Sequence, residues 1–201
     1  MRFVYGKQEM RSLSRSQESC FLLTNGLGGY ASLTAAYSAN RCDQGVLIAA
    51  QKAPGERVTL VHRLRETLTV DGKPYWLSTQ QFADGTQPED GFRNLSFFAF
   101  ENIPHWRYHI GGVRVTRTMA MTYGQNTTAV IYKVENQSNA ACSLTVDPFV
   151  KFGPKETAIK AAPNISFSQG KVMGDKYTLH ISTTAALRET PVCSQMLAYP
   201  E

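Results

Sequence analysis

Long hydrophobic runs are absent from this 201-residue sequence. No apolar stretch approaches the ~20 residues that a membrane-spanning helix requires. The first ten residues place Arg2, Lys7 and Glu9 among apolar ones, so they lack the continuous apolar segment of a secretory signal. We therefore expect a protein that does not enter a membrane and that resides in the cytoplasm.

Charged residues are also scarce, at 18% of the chain against the ~25% of an average globular protein. The hydrophobic fraction of 42% is ordinary, so a disordered chain is excluded, and the length suits a single domain over residues 1–201. Basic residues exceed acidic ones by 21 to 16, but they are spread along the chain. We interpret the charged residues as solvated surface, including the arginines of strand-like segments, and expect no nucleic-acid partner. Those arginines are Arg63, Arg65, Arg114 and Arg117.

Spacings typical of metal or redox sites are missing. The cysteines are far apart and form no Cys-x-x-Cys motif, which agrees with a reducing compartment: Cys20, Cys42, Cys142 and Cys193. His105 and His109 lie in an alternating, strand-like segment, where their imidazoles would be roughly 13 Å apart. That separation is too large for one ion, so we expect no metal and no other cofactor.

Signatures of catalysis are equally missing. The chain has neither the Gly-Lys-Ser/Thr of a P-loop nor a Gly-x-Ser-x-Gly nucleophile elbow. Sequence alone also places no two carboxylates across a glycosidic bond. We therefore assign no catalytic residue in this chain.

What the sequence does contain is alternation of period two. Over residues 59–70, leucine and valine alternate with arginine and threonine, which is the pattern of a half-buried strand. Asp71-Gly72 follows, a dipeptide that accepts the positive φ angles of a type I′ turn. Residues 73–78 are predicted to form the second strand, antiparallel to the first. This segment is predicted to form a β-hairpin.

Similar short strands recur along the chain, separated by Gly, Pro and Asn, and no segment predicts a helix of ten or more residues. The spacing predicts an all-β fold, an antiparallel β-sandwich. Residues 79–94 are expected to form a long surface loop, and Asp147-Pro148 is expected to break a strand. The other predicted strands are residues 106–110 and 113–121 around Gly111-Gly112, 127–135, 143–146, and a small meander of 165–168, 171–173 and 177–182.

The most distinctive segment is Thr-Asn-Gly-Leu-Gly-Gly-Tyr-Ala-Ser at residues 24–32, after an apolar run. Its glycines permit unusual backbone conformations and close approach of a partner, so its amides are candidates for pointing at a ligand. Dinucleotide binding is one interpretation, because Gly26, Gly28 and Ala31 have the spacing of that fingerprint. The next strand candidate ends in Gln51-Lys52, where an acidic residue should hold the ribose, so we prefer a tight turn.

The same nine residues, with Glu18 before them, resemble the N-terminal domain of bacterial and archaeal glycogen debranching enzymes of the amylo-α-1,6-glucosidase type. The resemblance spans roughly residues 5–150. Further matches occur in order: Tyr5-Gly6, residues 45–50 (Gly-Val-Leu-Ile-Ala-Ala), Leu64-x-Glu66-Thr67-Leu68, Asp71-Gly72, Leu77-Ser78, Pro104-x-Trp106-x-Tyr108 and Gly124-Gln125-Asn126-Thr127.

The resemblance implies a β-sandwich of the super-sandwich type, packed against a C-terminal catalytic α/α toroid that hydrolyses α-1,6-glucosides. Helices for a toroid are absent from this sequence, so the resemblance implies the non-catalytic part of a two-domain enzyme. Residues 40–45 (Asn-Arg-Cys-Asp-Gln-Gly) keep only Arg41 and Gly45 of the family's Thr-Arg-Arg-Tyr-His-Gly. Residues 151–154 replace an Arg-Asp-containing stretch, and both departures suggest a divergent member with altered substrate contacts or lost activity.

Site residues and partners are expectations from the resemblance. The glycine turn and a nearby arginine are expected to face the glucan cleft or the domain junction: Asn25, Gly26, Gly28, Gly29, Tyr30 and Arg41. Candidates for stacking on sugars are Tyr30, Trp76 and Trp106, with core or interface packing as the favoured alternative for both tryptophans. Expected partners are the toroid domain, in the same or a separate chain, an α-glucan such as glycogen, and a second copy in a homodimer. A free-standing carbohydrate-binding module is the alternative function.

Overall fold

Strands dominate the computed structural model of the chain, which describes residues 3–52, 55–157, 164–174 and 176–189. One α-helix, α1 (Leu13–Glu18), and the 3₁₀ turns Glu9–Arg11 and Gly91–Arg93 accompany the strands of these residues. The strands are β1 (Phe3–Gly6), β2 (Cys20–Thr24), β3 (Tyr30–Thr34), β4 (Gly45–Lys52), β5 (Glu56–Val70), β6 (Lys73–Trp76), β7 (Thr79–Gln80), β8 (Glu89–Asp90), β9 (Leu95–Phe100), β10 (Pro104–Ile110), β11 (Val113–Met121), β12 (Thr128–Asn136), β13 (Cys142–Pro154), β14 (Ser166–Ser168), β15 (Lys171–Met173) and β16 (Thr178–His180).

Two antiparallel sheets form a sandwich, which confirms the predicted all-β fold. One sheet has the order β1-β9-β10-β11-β12, and the other has the order β13-β5-β4-β3-β2, with β6 added beside β5. Side chains of both sheets meet in one core, where Phe21 of β2 packs edge-on against Trp106 of β10. Burial of such large apolar side chains is the main force that holds the two sheets together.

Both predicted hairpins are confirmed, and their turns have the expected backbone. Asp71 and Gly72 have φ angles of 50° and 75°, and Gly111 and Gly112 have φ angles of 56° and 80°. Positive φ at both central residues matches the twist of the flanking strands, so β5 pairs with β6 and β10 pairs with β11. The small meander β14-β15-β16 is confirmed as well.

The prediction that Asp147-Pro148 breaks a strand is wrong. β13 continues through both residues, and Pro148 lies opposite Leu64 of β5. Proline lacks an N–H donor, but β13 is an edge strand that pairs on one side only. Edge strands tolerate proline because the missing donor then removes no bond from the sheet.

The prediction of a surface loop over residues 79–94 holds only for its middle. Residues 83–88 are exposed, whereas β7 and β8 pair with each other and Glu89 and Phe92 are buried. The carboxylate of Glu89 accepts two hydrogen bonds from the guanidinium of Arg63, at 2.8 and 3.1 Å. This buried ion pair draws the end of the segment onto the sheet.

The interpretation of the charged residues as solvated surface is wrong for two arginines and two glutamates. Arg63 and Glu89 are paired as described, and Arg117 and Glu66 form a second ion pair that is fully buried between the sheets. Arg117 follows the inward register of its strand, because β11 buries every second residue from Val113. The alternation of inward and outward residues along β11 therefore already indicated that Arg117 is buried.

No helix among the described residues is long and apolar enough to cross a membrane.

Candidate functional site

The glycine turn of residues 25–29 joins two antiparallel neighbours, β2 and β3. Thr24 and Tyr30 are the last pair of that hairpin before the turn. A dinucleotide-binding turn instead leads from a strand of a parallel sheet into a helix whose N-terminus holds the pyrophosphate. The dinucleotide interpretation is therefore wrong, and the turn closes a β-hairpin.

Asn25 organises this turn through its side chain, which is fully buried. Its Oδ1 accepts hydrogen bonds from the backbone amides of Leu27 and Gly29, at 2.9 and 3.0 Å. Its Nδ2 donates to the carbonyl of Gln125 at 2.9 Å and to Oδ1 of Asn126 at 3.0 Å. The side-chain amide is thus fully satisfied, and the amides of Leu27 and Gly29 point inward at Asn25 instead of at a ligand.

A second turn, residues 122–127 between β11 and β12, lies against the first one. The backbone amide of Gly124 donates to the carbonyl of Asn25 at 2.7 Å. The side chain of Asn126 pairs with the backbone of Ala50, accepting from its N–H at 3.0 Å and donating to its carbonyl at 2.9 Å. We call residues 25–29 and 122–127 together the twin turn, which joins the two sheets at one end of the sandwich.

Asn126 belongs to this site by its hydrogen bonds, although the sequence did not single it out. It entered only as part of the resembling segment Gly124-Gln125-Asn126-Thr127. Its partners lie 76 and 101 positions away in sequence, so no local pattern reveals them. The signal that was present is an asparagine in the short connection between two predicted strands, a position where its side chain often bonds to backbone.

Two glycines of the turn are required by close packing. Gly26 has a φ of +79°, and a Cβ there would lie 2.5 Å from Cε2 of Tyr123. A Cβ at Gly29 would lie 2.6 Å from Nδ2 of Asn25 and 2.7 Å from Oδ1 of Asn126. Contacts this short do not occur, so a larger residue at either position would displace these side chains, and at Gly26 the positive φ adds backbone strain.

Arg57 contacts the turn at Gly28 and lies beside Tyr30. The Nε of Arg57 donates to the carbonyl of Gly28 at 2.6 Å, and its guanidinium lies 5.9 Å from the centre of the Tyr30 ring. The hydroxyl of Tyr30 donates to the carbonyl of Asp43 at 2.7 Å. Burial, reinforced by the charge of Asp43, raises the pKa of Tyr30 to about 12, so its hydroxyl stays protonated at neutral pH.

Arg41 connects to this group only through Asp43. Its Nε lies 3.6 Å from Oδ1 of Asp43, and its side chain is 59% exposed. An ion pair this exposed contributes little to stability, so most of the arginine remains free to contact another molecule. The structure therefore brings together Asn25, Gly26, Gly28, Gly29 and Tyr30, with Arg41 at the margin.

The two tryptophans lie elsewhere. Trp106 is fully buried, donates from Nε1 to the carbonyl of Ala35 at 2.9 Å and packs in the core, so no face of its ring is open to a sugar. Trp76 is partly buried and pairs with Thr67, ten residues along β5 from Arg57, or roughly 30 Å of strand. Neither tryptophan belongs to the twin turn.

An open groove of about 780 Å³ begins beside Arg57. It runs between the end of the β4–β5 hairpin, the end of β13 and the small meander, and its lining includes Arg57, Lys151, Phe152, Glu156 and Tyr177. Burial lowers the pKa of Lys151, whose Nζ donates to the carbonyl of Lys155 at 3.4 Å. The groove offers both aromatic rings and charged donors to a polar ligand.

The histidines and cysteines form no cluster in the described ranges. His105 lies 3.0 Å from Oγ1 of Thr118, and His109 accepts from Nε of Arg114 at 3.0 Å. No three His, Cys, Asp or Glu residues of the described segments could hold a metal ion together. Cys20, Cys42 and Cys142 are free thiols, and Cys193 lies outside the described residues.

A comparison with protein families gives one match. The family model described as glycogen debranching enzyme N terminal matches residues 20–201. That range contains both turns of the twin turn and the groove. No curated protein and no solved structure matches the chain.

Proposed function

The chain belongs to the glycogen debranching enzyme N-terminal family, whose model matches residues 20–201, and we propose that it serves as the non-catalytic β-sandwich domain of a debranching glycoside hydrolase of the amylo-α-1,6-glucosidase type. The family match is the observation that carries this proposal. In that role the chain supports a catalytic α/α toroid domain, in the same or a separate polypeptide, and works in the cytoplasm on glycogen or a similar α-glucan.

The state of the buried carboxylates supports a non-catalytic role. Hydrolysis of a glycosidic bond requires two carboxyl groups that flank the bond and exchange protons with the substrate. Among the described residues, the fully buried Glu66 is held by Arg117, and the nearly buried Glu89 is held by Arg63. Both carboxylates are already engaged inside the fold, which agrees with catalytic acids supplied by the partner domain.

The twin turn supports a role in lining the glucan cleft. Its backbone is held by four hydrogen bonds of the Asn25 side chain, which fix the shape of the turn from within the fold. Such preorganisation lowers the entropy that is lost when a substrate binds. On this proposal Tyr30 and Arg41 face the cleft or the junction between the two domains.

Exposed apolar side chains on an edge strand support contact with another folded domain. Ile131 and Val134 of β12 are 62% and 40% exposed, and no strand of the described residues pairs with the outer side of β12. Apolar groups on an open edge are typical of surfaces that a partner covers. We propose that the toroid domain, or a second copy of the chain, covers this edge.

The test is the intact mass of the native gene product, purified from its own cell, together with its activity on a branched limit dextrin. We expect a mass well above 22.3 kDa, or a copurifying second chain, and release of glucose from α-1,6 branch points. A product of 22.3 kDa without a partner and without this activity would overturn the proposal.

The groove beside Arg57 favours a second candidate, a free-standing carbohydrate-binding module. A groove of about 780 Å³ with aromatic and charged lining is large enough for an oligosaccharide. This candidate predicts a native product of 22.3 kDa that binds glycogen by itself. The intact mass thus separates the two candidates.

A further inference from the structure

Among the described residues, Tyr123 is the most exposed large aromatic side chain, at 85%. Its ring lies beside Gly26 of the glycine turn. We propose that Tyr123 and Arg57 form a binding platform for an α-glucan on the outer surface of the twin turn. This inference rests on the proposed function, which supplies the class of ligand. It adds two residues that the family resemblance does not assign.

The position of the Tyr123 ring is defined by the glycine beneath it. Its Cε2–Cδ2 edge lies over Gly26, so close that a Cβ at that glycine would be 2.5 and 3.1 Å from these atoms. The turn that carries the tyrosine is closed by hydrogen bonds from the Thr122 amide to the Thr127 carbonyl and from the Gly124 amide to the Asn25 carbonyl. The ring is therefore both exposed and supported.

An exposed, supported ring has the properties that sugar recognition needs. The apolar faces of pyranose rings pack on aromatic rings, and a tyrosine loses little conformational entropy when it is covered. Exposing such a ring to water brings no gain to the folded chain, because burial of aromatic area is favourable. A ligand that covers Tyr123 recovers this free energy.

Arg57 supplies hydrogen-bond donors at Gly28, two residues along the same turn from the glycine that Tyr123 contacts. Its Nε is fixed by the carbonyl of Gly28 at 2.6 Å. Its two terminal nitrogens make no hydrogen bond or ion pair with any residue in the described part of the chain. A guanidinium that is oriented by one bond and has free donors is suited to bind sugar hydroxyls.

The two side chains are close enough to contact one oligosaccharide. Tyr123 packs on Gly26 and Arg57 bonds to Gly28, and two residues of chain span at most about 7 Å. Arg57 also lines the groove of about 780 Å³. Leu27, at 44% exposure, lies between the two contacts and adds apolar surface.

The surroundings favour a glucan over a protein on this surface. Docking of a protein domain requires a contiguous apolar patch of several hundred Å², whereas this surface combines one ring and one leucine with glycine backbone and a guanidinium. The larger apolar residues on the edge strand β12, Ile131 and Val134, are better suited to a protein partner.

The experiment is calorimetric titration of the chain with maltoheptaose, with the unfolding temperature of each variant as a check on folding. We expect Tyr123→Ala to weaken binding at least tenfold and Tyr123→Phe to bind within about threefold of the wild type, since stacking does not need the hydroxyl. Arg57→Gln is expected to weaken binding about fivefold. The matched control Phe3→Ala removes another exposed aromatic side chain, far from the turn in sequence and on β1, and should leave binding unchanged.

Two results would overturn the platform. One is wild-type affinity in Tyr123→Ala with an unchanged unfolding temperature, which would place the glucan elsewhere. The other is the absence of any maltoheptaose binding by the wild-type chain and by the native gene product. If that product still releases glucose from branch points, the proposed function stands and only the platform fails; if it does not, both fail.

Discussion

The side-chain amides of Asn25 and Asn126 meet at 3.0 Å although the two residues are 101 positions apart in sequence. Asn25 follows a strand of one sheet, and Asn126 precedes a strand of the other. This contact, with the bonds from Asn126 to Ala50, holds the two sheets together at the end that carries the glycine turn. The shape of the candidate site therefore depends on two neutral amides, together with the bond from the Arg57 guanidinium to the Gly28 carbonyl.

Removal of the Asn25 amide should destabilise the chain strongly. Asn25→Ala leaves the amides of Leu27 and Gly29 and the carbonyl of Gln125 without their side-chain partner, and the Gly29 amide is buried. We expect a loss of about 2–4 kcal/mol in the free energy of unfolding, measured by urea denaturation. Asn136→Ala, which removes an exposed asparagine, is the control and should cost less than about 1 kcal/mol. Equal losses in both variants would contradict the central role of Asn25.

The contact between Gly26 and Tyr123 can be measured by a double-mutant cycle. Gly26→Ala should cost about 2 kcal/mol or more, because alanine disfavours a φ of +79° and its Cβ would collide with the tyrosine ring. In the Tyr123→Ala background the collision disappears, and only the backbone cost of about 1 kcal/mol should remain. Additive effects of the two substitutions in urea denaturation would show that the ring does not rest on this glycine.

The buried ion pair of Glu66 and Arg117 should be far more sensitive than an exposed one. The guanidinium of Arg117 also donates to the Tyr108 hydroxyl at 2.7 Å and lies 3.3 Å from the centre of the Tyr37 ring. Arg117→Met leaves Glu66 buried without its cation, and we expect a loss of about 3–5 kcal/mol in the free energy of unfolding.

The matched control for that pair is Arg65 with Asp147, whose side chains are 28% and 30% exposed. Arg65→Met should cost at most about 1 kcal/mol, since solvent screens the pair. The double variant Glu66→Leu with Arg117→Met should recover part of the loss, because it removes both buried charges. A single Arg117→Met variant as stable as the wild type would contradict the proposed importance of the pair.

His62 should make the stability of the chain sensitive to acid. Burial, with the nearby charges of Lys151 and Arg63, lowers the pKa of this imidazole to about 3 in the folded chain. Its pKa in the unfolded chain is ~6.5, so the unfolded state binds the extra proton between these two values. Stability is therefore complete above pH 6.5 and falls as the pH decreases toward 3, by up to about 5 kcal/mol from this residue.

The measurement is urea denaturation of the wild type and of His62→Gln at several pH values between 3 and 7. Glutamine does not titrate, so the variant should lose this part of the acid dependence and show a flatter profile. A His62→Gln profile with the same slope as the wild type would contradict burial of a neutral histidine.

The strands and their turns were largely predictable from local sequence. Asp71-Gly72 between two alternating segments predicted a hairpin correctly, because both the alternation and the turn are properties of neighbouring residues. The Asp147-Pro148 break was predicted wrongly, since the effect of a proline depends on whether its strand is at the edge of a sheet. Whether a strand lies at the edge of a sheet depends on its pairing with strands distant in sequence, so the residues around Pro148 do not indicate it.

The candidate site was predictable only in part. The glycine turn stood out by composition, and the structure brings Asn25 and Tyr30 together there. The sequence did not predict the roles of Asn126, Tyr123 and Arg57. These residues contact the turn from positions 29 to 101 residues away in sequence. A polar residue in a loop or strand looks the same in sequence whether it faces solvent or another turn.

The sequence by itself determined that this chain forms antiparallel strands, since period-two alternation and turn dipeptides act over a few residues. The motif at residues 24–32 also predicted the family, and the family model that matches residues 20–201 confirms it. The tertiary structure alone decided which polar groups are buried and paired, as Glu66 with Arg117 and Asn25 with Asn126. The reason is physical: a buried charge or amide is stable only beside its partner, and packing of the two sheets brings those partners together.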